Sequence, residues 1–356
     1  MARLDNEIWA GRRVLMTGHT GFKGSWLALW LASRGAVITG IALDPPTTPA
    51  LFELANVAEA LESDLRVDVR EEAALRSAVA AAEPEIVFHL AAQPIVALGY
   101  DAPIDTIGTN VMGTAHILAA ASQLASVKAI LIVTSDKVYM NREWIHPYRE
   151  PDTLGDRDPY SASKACAEIL TAAFRASYAT GAMIATARAG NVIGGGDFAR
   201  NRIVPDCVRA FSSGEPVVLR MPGAIRPWQH VLDPLAGYIN LAERLFRGEA
   251  RAADAWNFGP DAGSDQPVHI LADRLAEIWG DGASVVHGEE DAARHEASVL
   301  RLDSTKARLA LGWEPALPFA EALERTGAWY RAWHDGKDLA ALTRDEIARF
   351  ERDTAR

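Results

Sequence analysis

Cysteine is nearly absent, with 2 residues in a chain of 356, Cys166 and Cys207. Two isolated thiols cannot build a disulfide framework or a cysteine-rich zinc site. Cys166 lies in a helical pattern and reads as a small buried apolar residue rather than a nucleophile. No set of His, Asp and Glu carries metal-ligand spacing, so no metal site is expected. Long apolar runs are missing too: the most apolar stretch, 27–43, is broken by Arg34 and Gly35 and is too short to span a bilayer. The first residues contain acidic side chains and no apolar signal-peptide core, so the expectation is a cytoplasmic chain without a membrane contact. Positive charge is also short, with Lys+Arg 36 against Asp+Glu 47 and a formal charge of −11. Without a basic cluster, nucleic acid is not the expected partner, although a local basic pocket for a phosphorylated small molecule is still open.

What remains is enough chain for a large core without staples. At about 150 residues per domain the length suggests two domains, or one with a large elaboration. The first half alternates short apolar runs, Arg13–Thr17, Val37–Leu43, Ile86–Leu90, Ala129–Thr134 and Ile184–Arg188, with helical patterns such as Gly24–Ser33, Glu71–Ala82, Asn110–Leu124 and Ser161–Tyr178. Runs apolar on both faces are those of buried parallel strands. Their alternation with helices predicts an α/β fold, a Rossmann-like doubly wound parallel sheet. After Gly190 the rhythm changes to a loop with Gly194, Gly195 and Gly196 and then Pro205, Pro216, Pro222 and Pro227. This punctuation predicts a smaller, discontinuous C-terminal substrate-binding cap, 191–227 and 260–338. The nucleotide domain is then 1–190, with a return at 228–259 through the short strand pattern Ala255–Gly259, and 339–356 is a peripheral helix.

The first strand ends in Thr17-Gly18-His19-Thr20-Gly21-Phe22-Lys23-Gly24-Ser25 and leads into an apolar helix. Glycines at 18, 21 and 24 suit a tight turn, close approach of a pyrophosphate, and close helix–strand packing, with the helix N-terminus facing the phosphates. A phosphate-binding P-loop is excluded by spacing, because Lys23 precedes the last glycine. Asp44 closes the second strand and reads either as the acceptor of ribose hydroxyls, favouring NAD over NADP, or as a turn-initiating residue before Pro45. Asp68 and Val69 after the third strand suit adenine, or Asp68 caps a helix. Tyr160 and Lys164 stand at i and i+4 on one helix face, where a cation lowers a phenol pKa and lets it act as a base. The strand end Val133-Thr134-Ser135 precedes them, and Ser135 can bond the same substrate hydroxyl.

With these residues the chain resembles the extended short-chain dehydrogenase/reductase family and, within it, the nucleotide-sugar 4,6-dehydratases. The likeness extends from about Gly11 to Trp333 and includes Leu90-Ala91-Ala92-Gln93, Thr134-Ser135-Asp136-Lys137-Val138-Tyr139, Arg188-Ala189-Gly190-Asn191-Val192, Arg202-Ile203-Val204-Pro205-Asp206, Arg226-Pro227-Trp228-Gln229-His230, His295-Glu296-Ala297 and Leu311-Gly312-Trp313. The resemblance implies NAD as cofactor, bound by Gly18, Thr20, Gly21, Phe22, Lys23, Gly24, Asp44, Asp68, Val69, Leu90, Ala91 and Ala92 together with Tyr160 and Lys164. It implies a nucleotide sugar held by Gln93, Asn191, Arg202, Arg226 and His295. It also implies a homodimer paired through the Tyr160 helix. In the dTDP-glucose enzymes a Glu usually stands where this chain has Lys137, so the likeness is to the CDP-glucose branch.

The implied chemistry is removal of the 4-hydroxyl proton by Tyr160 with hydride passing to NAD, then loss of water across C5 and C6 with Asp136 as acid and Lys137 as base, and return of the hydride to C6. A base lysine must be neutral, which requires a lowered pKa. Asp136 and Lys137 read alternatively as a solvated strand end, and His295 and Glu296 as a surface pair. The product would feed deoxysugars for surface polysaccharide. The alternatives are the same reaction on dTDP-glucose or GDP-mannose, or a 4-epimerase or reductase of the same fold. One stretch departs from the family pattern: an arginine and a serine usual after the Gln are Ala97 and Gly99 here.

Overall fold

Apolar runs without a polar face are stable only in a sheet covered on both sides. In the computed structural model, which describes residues 6–178, 181–288 and 299–354, they form parallel strands β1 (Arg13–Thr17), β2 (Val37–Ala42), β4 (Ile86–His89), β5 (Ala129–Val133) and β6 (Met183–Ala189). Two further strands complete one seven-stranded sheet: β3 (Ser63–Arg66) at one edge and β7 (Ala255–Phe258), parallel to β6, at the other. The order is β7-β6-β5-β4-β1-β2-β3. Successive side chains alternate faces: Val14, Met16, Phe88 and Leu131 enter one apolar cluster, and Leu15, Val87, Ile130 and Ile132 enter another across the sheet. The polar run of β3 shows only partial burial, as a charged edge strand does.

The order reverses beside β1, whose C-terminal end is therefore the crevice where open α/β sheets bind ligands. The helix Phe22–Ser33 that leaves β1 is buried from Gly24 through Leu31. Its outer side is closed by the C-terminal helix Leu339–Thr354: Phe350 meets Trp30 edge-on at 5.5 Å, and Glu351 accepts a 2.6 Å hydrogen bond from the Trp30 indole. Buried Ile347 and Phe350 each contribute roughly 1.5–3 kcal/mol to this docking. After β6 the chain leaves the sheet, and segments before and after β7 form short pairs: Val192–Ile193 with Gln229–His230, and Ile225–Pro227 with Asp265–Pro267 from beyond β7. Among the described residues no helix is long and apolar enough to cross a membrane, and no three His, Cys, Asp or Glu groups are placed to hold a metal. Cys207 is buried, but Cys166 is exposed, because it lies on the outer side of its helix, whereas Tyr160 and Lys164 face inward.

The helix Leu232–Phe246 carries a fully buried acid in its first turn. Asp233 accepts a 2.7 Å hydrogen bond from the Ala316 amide, and burial pushes its pKa from 3.8 up to about 7. The folded protein then keeps a proton that the unfolded chain releases above the ordinary value, so stability falls as pH rises from about 4 to about 7. Asp233→Asn, neutral throughout, removes that fall. Thermal melting should show its Tm advantage over wild type growing across this range and constant above it, whereas a pH-independent difference would mean the carboxyl is already ionised at low pH.

Candidate active site

The turn after β1 has no room for side chains at two of its glycines. Gly18 has φ +77°, and a Cβ there would lie 2.6 Å from the Ala91 nitrogen; a Cβ at Gly24 would lie 2.1 Å from the Gly18 carbonyl oxygen. The Thr17 side chain accepts from the Ala91 amide at 3.2 Å, and the Leu90 amide donates to the Thr17 carbonyl at 3.1 Å, which brings Leu90-Ala91-Ala92 against Gly18. Gly21 starts the helix Phe22–Ser33 without a side-chain cap, and Thr20 is turned away to donate to the Leu43 carbonyl at 3.0 Å. A bare backbone turn leading to a helix N-terminus uncapped by any side chain fits the pyrophosphate of a dinucleotide. Asp44 is exposed just beyond β2 and pairs with Arg66 at 3.0 Å. Asp68 is held by Arg70 at 2.6 Å, which draws its pKa down, and buried Val69 packs against Gly113. His89 has both ring nitrogens engaged, by Thr17 at 2.7 Å and Thr114 at 3.2 Å, and burial holds it neutral.

The second half of the site is assembled at the end of β5. Ser135 donates to Asp136 at 3.0 Å and accepts from the Lys137 amide at 3.2 Å, which starts a tight turn, Asp136–Val138. The helix Pro159–Ser177 begins with Asp158 as N-cap, accepting from the Ser161 amide at 2.9 Å, and with Pro159 in the first turn. This fixes Tyr160 and Lys164 facing the strand end, both buried, with the Lys164 ammonium donating to the Val133 carbonyl at 3.3 Å. Burial lowers the Lys164 pKa to about 8, opposed by the Glu168 carboxylate.

The expected depression of the Tyr160 pKa is not what the structure gives. Burial raises it to about 12, against the pull of a hydrogen bond to Ser135 and the charge of Arg202. Loss of water around the phenol outweighs the cations in reach, and Lys164 spends its ammonium on a carbonyl. Asp136 is buried too, which raises its pKa despite the charges of Lys137, Arg226 and Lys23 and the Ser135 hydrogen bond. Its second oxygen, Oδ2, is buried with no hydrogen-bond partner among the described residues. Lys137 is half-buried beside it.

Of the residues expected to hold substrate, Arg226 is buried within the electrostatic reach of Asp136, and Arg202 pairs with Asp197 at 2.7 Å while its charge acts on Tyr160. Gln93 points inward instead: its amide donates to Thr106 at 2.9 Å and accepts from the Ile95 amide at 2.5 Å, so it shapes the loop. Asn191 is half-buried, and its main-chain carbonyl accepts from the Gln229 amide at 3.1 Å. His295 lies outside the described residues.

Three residues escaped sequence reasoning. Asn110, in a π-helical turn Gly108–Met112, accepts from the Gln93 amide at 2.8 Å and donates to Ser163 at 2.8 Å, tying the loop to the Tyr160 helix. A π turn leaves no pattern in the sequence. Glu168 and Tyr238 are the others. Glu168 follows Lys164 by one turn and was legible by spacing, whereas Tyr238 reaches the site only through tertiary packing. Lys23, assigned from sequence to the cofactor turn alone, points inward to Tyr238, with 3.5 Å between its ammonium and the hydroxyl; burial lowers its pKa to about 7.

Comparison with known proteins agrees with this geometry. The profile of the GDP-mannose 4,6 dehydratase family matches residues 15–326. A CDP-glucose 4,6-dehydratase of Salmonella typhimurium is 46% identical, over 99% of this chain and 100% of that protein. A dTDP-glucose 4,6-dehydratase of Streptomyces antibioticus is 32% identical over 71% of this chain and 72% of its own. The crystal structure of a dTDP-glucose 4,6-dehydratase from Streptomyces venezuelae, with NAD bound, superimposes with a TM-score of 0.74 at 25% identity, covering 91% of this chain and 98% of that one. A turn shaped for a dinucleotide, a Ser-Asp-Lys strand end facing Tyr160 and Lys164, and a match over most of the chain lead to one conclusion: this protein belongs to the GDP-mannose 4,6-dehydratase family.

Proposed function

We propose that this chain is an NAD-dependent hydro-lyase converting CDP-glucose to CDP-4-keto-6-deoxyglucose and water. The observation that carries this reading is the buried Asp136 carboxyl, whose burial favours the protonated form and which stands between Ser135 and Lys137 at the strand end facing Tyr160. A hydride-transfer site alone has no use for an acid there, whereas elimination of water needs one. The 46% identity to a CDP-glucose 4,6-dehydratase along the whole chain supports the choice of substrate.

Bound NAD supplies the acceptor for the C4 hydride and the hydride returned at C6. Tyr160 takes the proton of the 4-hydroxyl, and Ser135 and Arg202 are the groups that stabilise the phenolate as it forms. The C4 ketone acidifies the C5 proton, which passes to Lys137. The C6–O bond then breaks as Asp136 protonates the departing hydroxyl, giving water and a C5–C6 double bond. Lys137 exchanges its protons with solvent and returns one to C5 once C6 is reduced. Arg226 and Arg202 hold the diphosphate, for which a guanidinium offers paired donors. The cap is formed by 191–227 and 260–338. The enzyme works in the cytoplasm as a homodimer, joined through the exposed apolar residues Tyr100, Ile104, Ile107, Met112 and Ile169, and supplies deoxysugars for surface polysaccharide.

Proton NMR in D₂O with NAD and, separately, CDP-, dTDP-, UDP- and GDP-sugars tests the reading. The expected result is a 6-deoxy-4-keto product deuterated at C5, formed fastest from CDP-glucose and without net NADH. A C4 epimer without exchange at C5 would make the enzyme an epimerase, and a faster reaction of dTDP-glucose or GDP-mannose would reassign the substrate. Lys137→Ala should block elimination more than oxidation, so reduced cofactor accumulates in a single turnover at 340 nm; undiminished dehydration would remove Lys137 from the base role.

Asp44 bears on cofactor choice through its partner. A carboxylate at the ribose repels a 2′-phosphate, but Arg66, 3.0 Å away, is the kind of residue that accepts one. Asp44→Ala should therefore release the Arg66 Nε toward the phosphate, while its other end stays on Asp64, and narrow the preference for NAD over NADP by roughly tenfold, or about 1.4 kcal/mol. Fluorescence titration with both cofactors measures it; unchanged affinities would leave Asp44 a turn residue.

A further inference from the structure

Strand register brings the end of β6 level with the proposed acid. Val133 of β5 lies opposite Ala187 of β6, and the Thr134 amide extends the ladder by donating to the Ala187 carbonyl at 2.9 Å. Three residues further along each chain, Asp136 meets Gly190, the first residue after β6. The meeting is close. A Cβ on Gly190 would stand 2.8 Å from Oδ2 of Asp136, 3.3 Å from its Cγ and 3.3 Å from the Pro227 ring. Glycine is often required where φ is positive, as at Gly18 and Gly196, but the backbone of Gly190 is not in that region. Its conformation suits a residue with a side chain, so the space beside Asp136 is what excludes one.

The carboxyl is seated between two partners. Oδ1 accepts from Ser135 at 3.0 Å, whereas Oδ2 is buried against Gly190 with no hydrogen-bond partner among the described residues. Pro227 is itself buried in the short strand Ile225–Pro227, so a methyl group at position 190 would be crowded by that ring as well as by the carboxyl. The charges of Lys137, Arg226 and Lys23 and the phenols of Tyr160 and Tyr238 also act on Asp136, none of them through a hydrogen bond to Oδ2. A donor side chain at position 190 would fill that oxygen and favour the carboxylate, and the bare glycine leaves it dry.

We propose that Gly190 is a positioning residue for the dehydration step: its lack of a side chain lets the Asp136 carboxyl rest on Ser135, with its second oxygen dry, where it serves the departing 6-hydroxyl. The inference rests on the reading of Asp136 as the acid. As the proton moves from Asp136 to the 6-oxygen, the C6–O electron pair leaves with that oxygen as water, and Asp136 is left as a carboxylate. Across the turnover this proton is balanced by the one Tyr160 takes from the 4-hydroxyl. Oxidation at C4 uses Tyr160, Ser135 and the cofactor, and Ser135 keeps its bond from the Lys137 amide at 3.2 Å, so Gly190 acts on the second step and not on the first.

The test is a double-mutant cycle of Gly190→Ala and Asp136→Ala, all four proteins prepared as holoenzymes with bound NAD content recorded. Gly190→Ala alone should lower Tm by about 3 °C, as overpacking does. In the Asp136→Ala background the same methyl group should cost less than about 1 °C, because the atoms it meets most closely are gone. Single turnovers at 340 nm use the nucleotide sugar that wild type converts fastest. In Gly190→Ala, NADH should form at the wild-type rate and then persist, with elimination slowed about a hundredfold by displacement of the acid. An equal Tm loss in both backgrounds overturns the proposal, and so does failure of both Gly190→Ala proteins to fold. Oxidation and elimination falling together, or elimination unchanged in a folded Gly190→Ala protein, also overturns it. A C4 epimer as the wild-type product would remove the acid reading instead; the melting cycle needs no substrate and tells that failure from failure of the Gly190 contact.

Discussion

The relation between the catalytic helix and the sheet depends on one buried carboxylate. Glu168 accepts from Thr134 at the end of β5, from Thr186 in β6 at 2.7 Å and from the Arg188 guanidinium at 2.7 Å. Arg188 passes the link on to Tyr139 at 2.7 Å, which donates to Asn257 in β7 at 2.7 Å. Both charges are almost fully buried, and the guanidinium also donates to the Glu150 carbonyl at 3.1 Å, although its Nε is buried without a hydrogen-bond partner among the described residues. Because Thr134 precedes Ser135, and Glu168 follows Lys164 by one turn, this network fixes the register between the strand end and the helix face. Ser135 meets Tyr160 through a contact neither residue makes possible alone.

Drying that junction has a cost in ionisation that the site uses. Burial raises Asp136 and Tyr160 and lowers Lys164 to about 8 and Lys23 to about 7, so all four are pushed toward their neutral forms. The guanidinium groups resist this, since arginine stays charged in any protein environment. Arg202 in fact has its pKa raised by Asp197. In a chain of formal charge −11 this junction thus keeps the charges of Arg226 and Arg202 beside Asp136 and Tyr160, two groups that burial draws toward neutrality.

Much of this was legible in the residue order. Five strands, the glycine turn and the Tyr160–Lys164 helix follow from apolar runs and spacing, since buried parallel strands and a dinucleotide turn leave local marks. The edge strand Ser63–Arg66 left none, because its pairing to β2 is long-range and its side chains are polar. The Tyr160 pKa was misjudged for a related reason: i,i+4 spacing shows that a cation is near, but not how much water is lost or what else the ammonium bonds. Gln93 and Lys23 were placed near ligands by pattern, yet Gln93 turned to its own loop and Lys23 to Tyr238, choices made by packing partners far along the chain.

The departures at positions 97 and 99 acquire a physical meaning in the same way. A Cβ at Gly99 would lie 3.2 Å from the Tyr160 nitrogen and 3.3 Å from its Cβ, so the helix Val96–Asp101 sits against the first turn of the catalytic helix at a distance that suits glycine. A serine there would need the two backbones to move apart by a few tenths of an ångström. Ala97 removes a cation from the loop, but Arg226 is buried beside Asp136 and Arg202 acts on Tyr160 from the other side. Positive charge is thus still present around Asp136 and Tyr160, supplied from beyond β6 rather than from the loop after β4. The 93–101 segment has a packing duty instead, holding Tyr160 in place through Asn110 and Gly99.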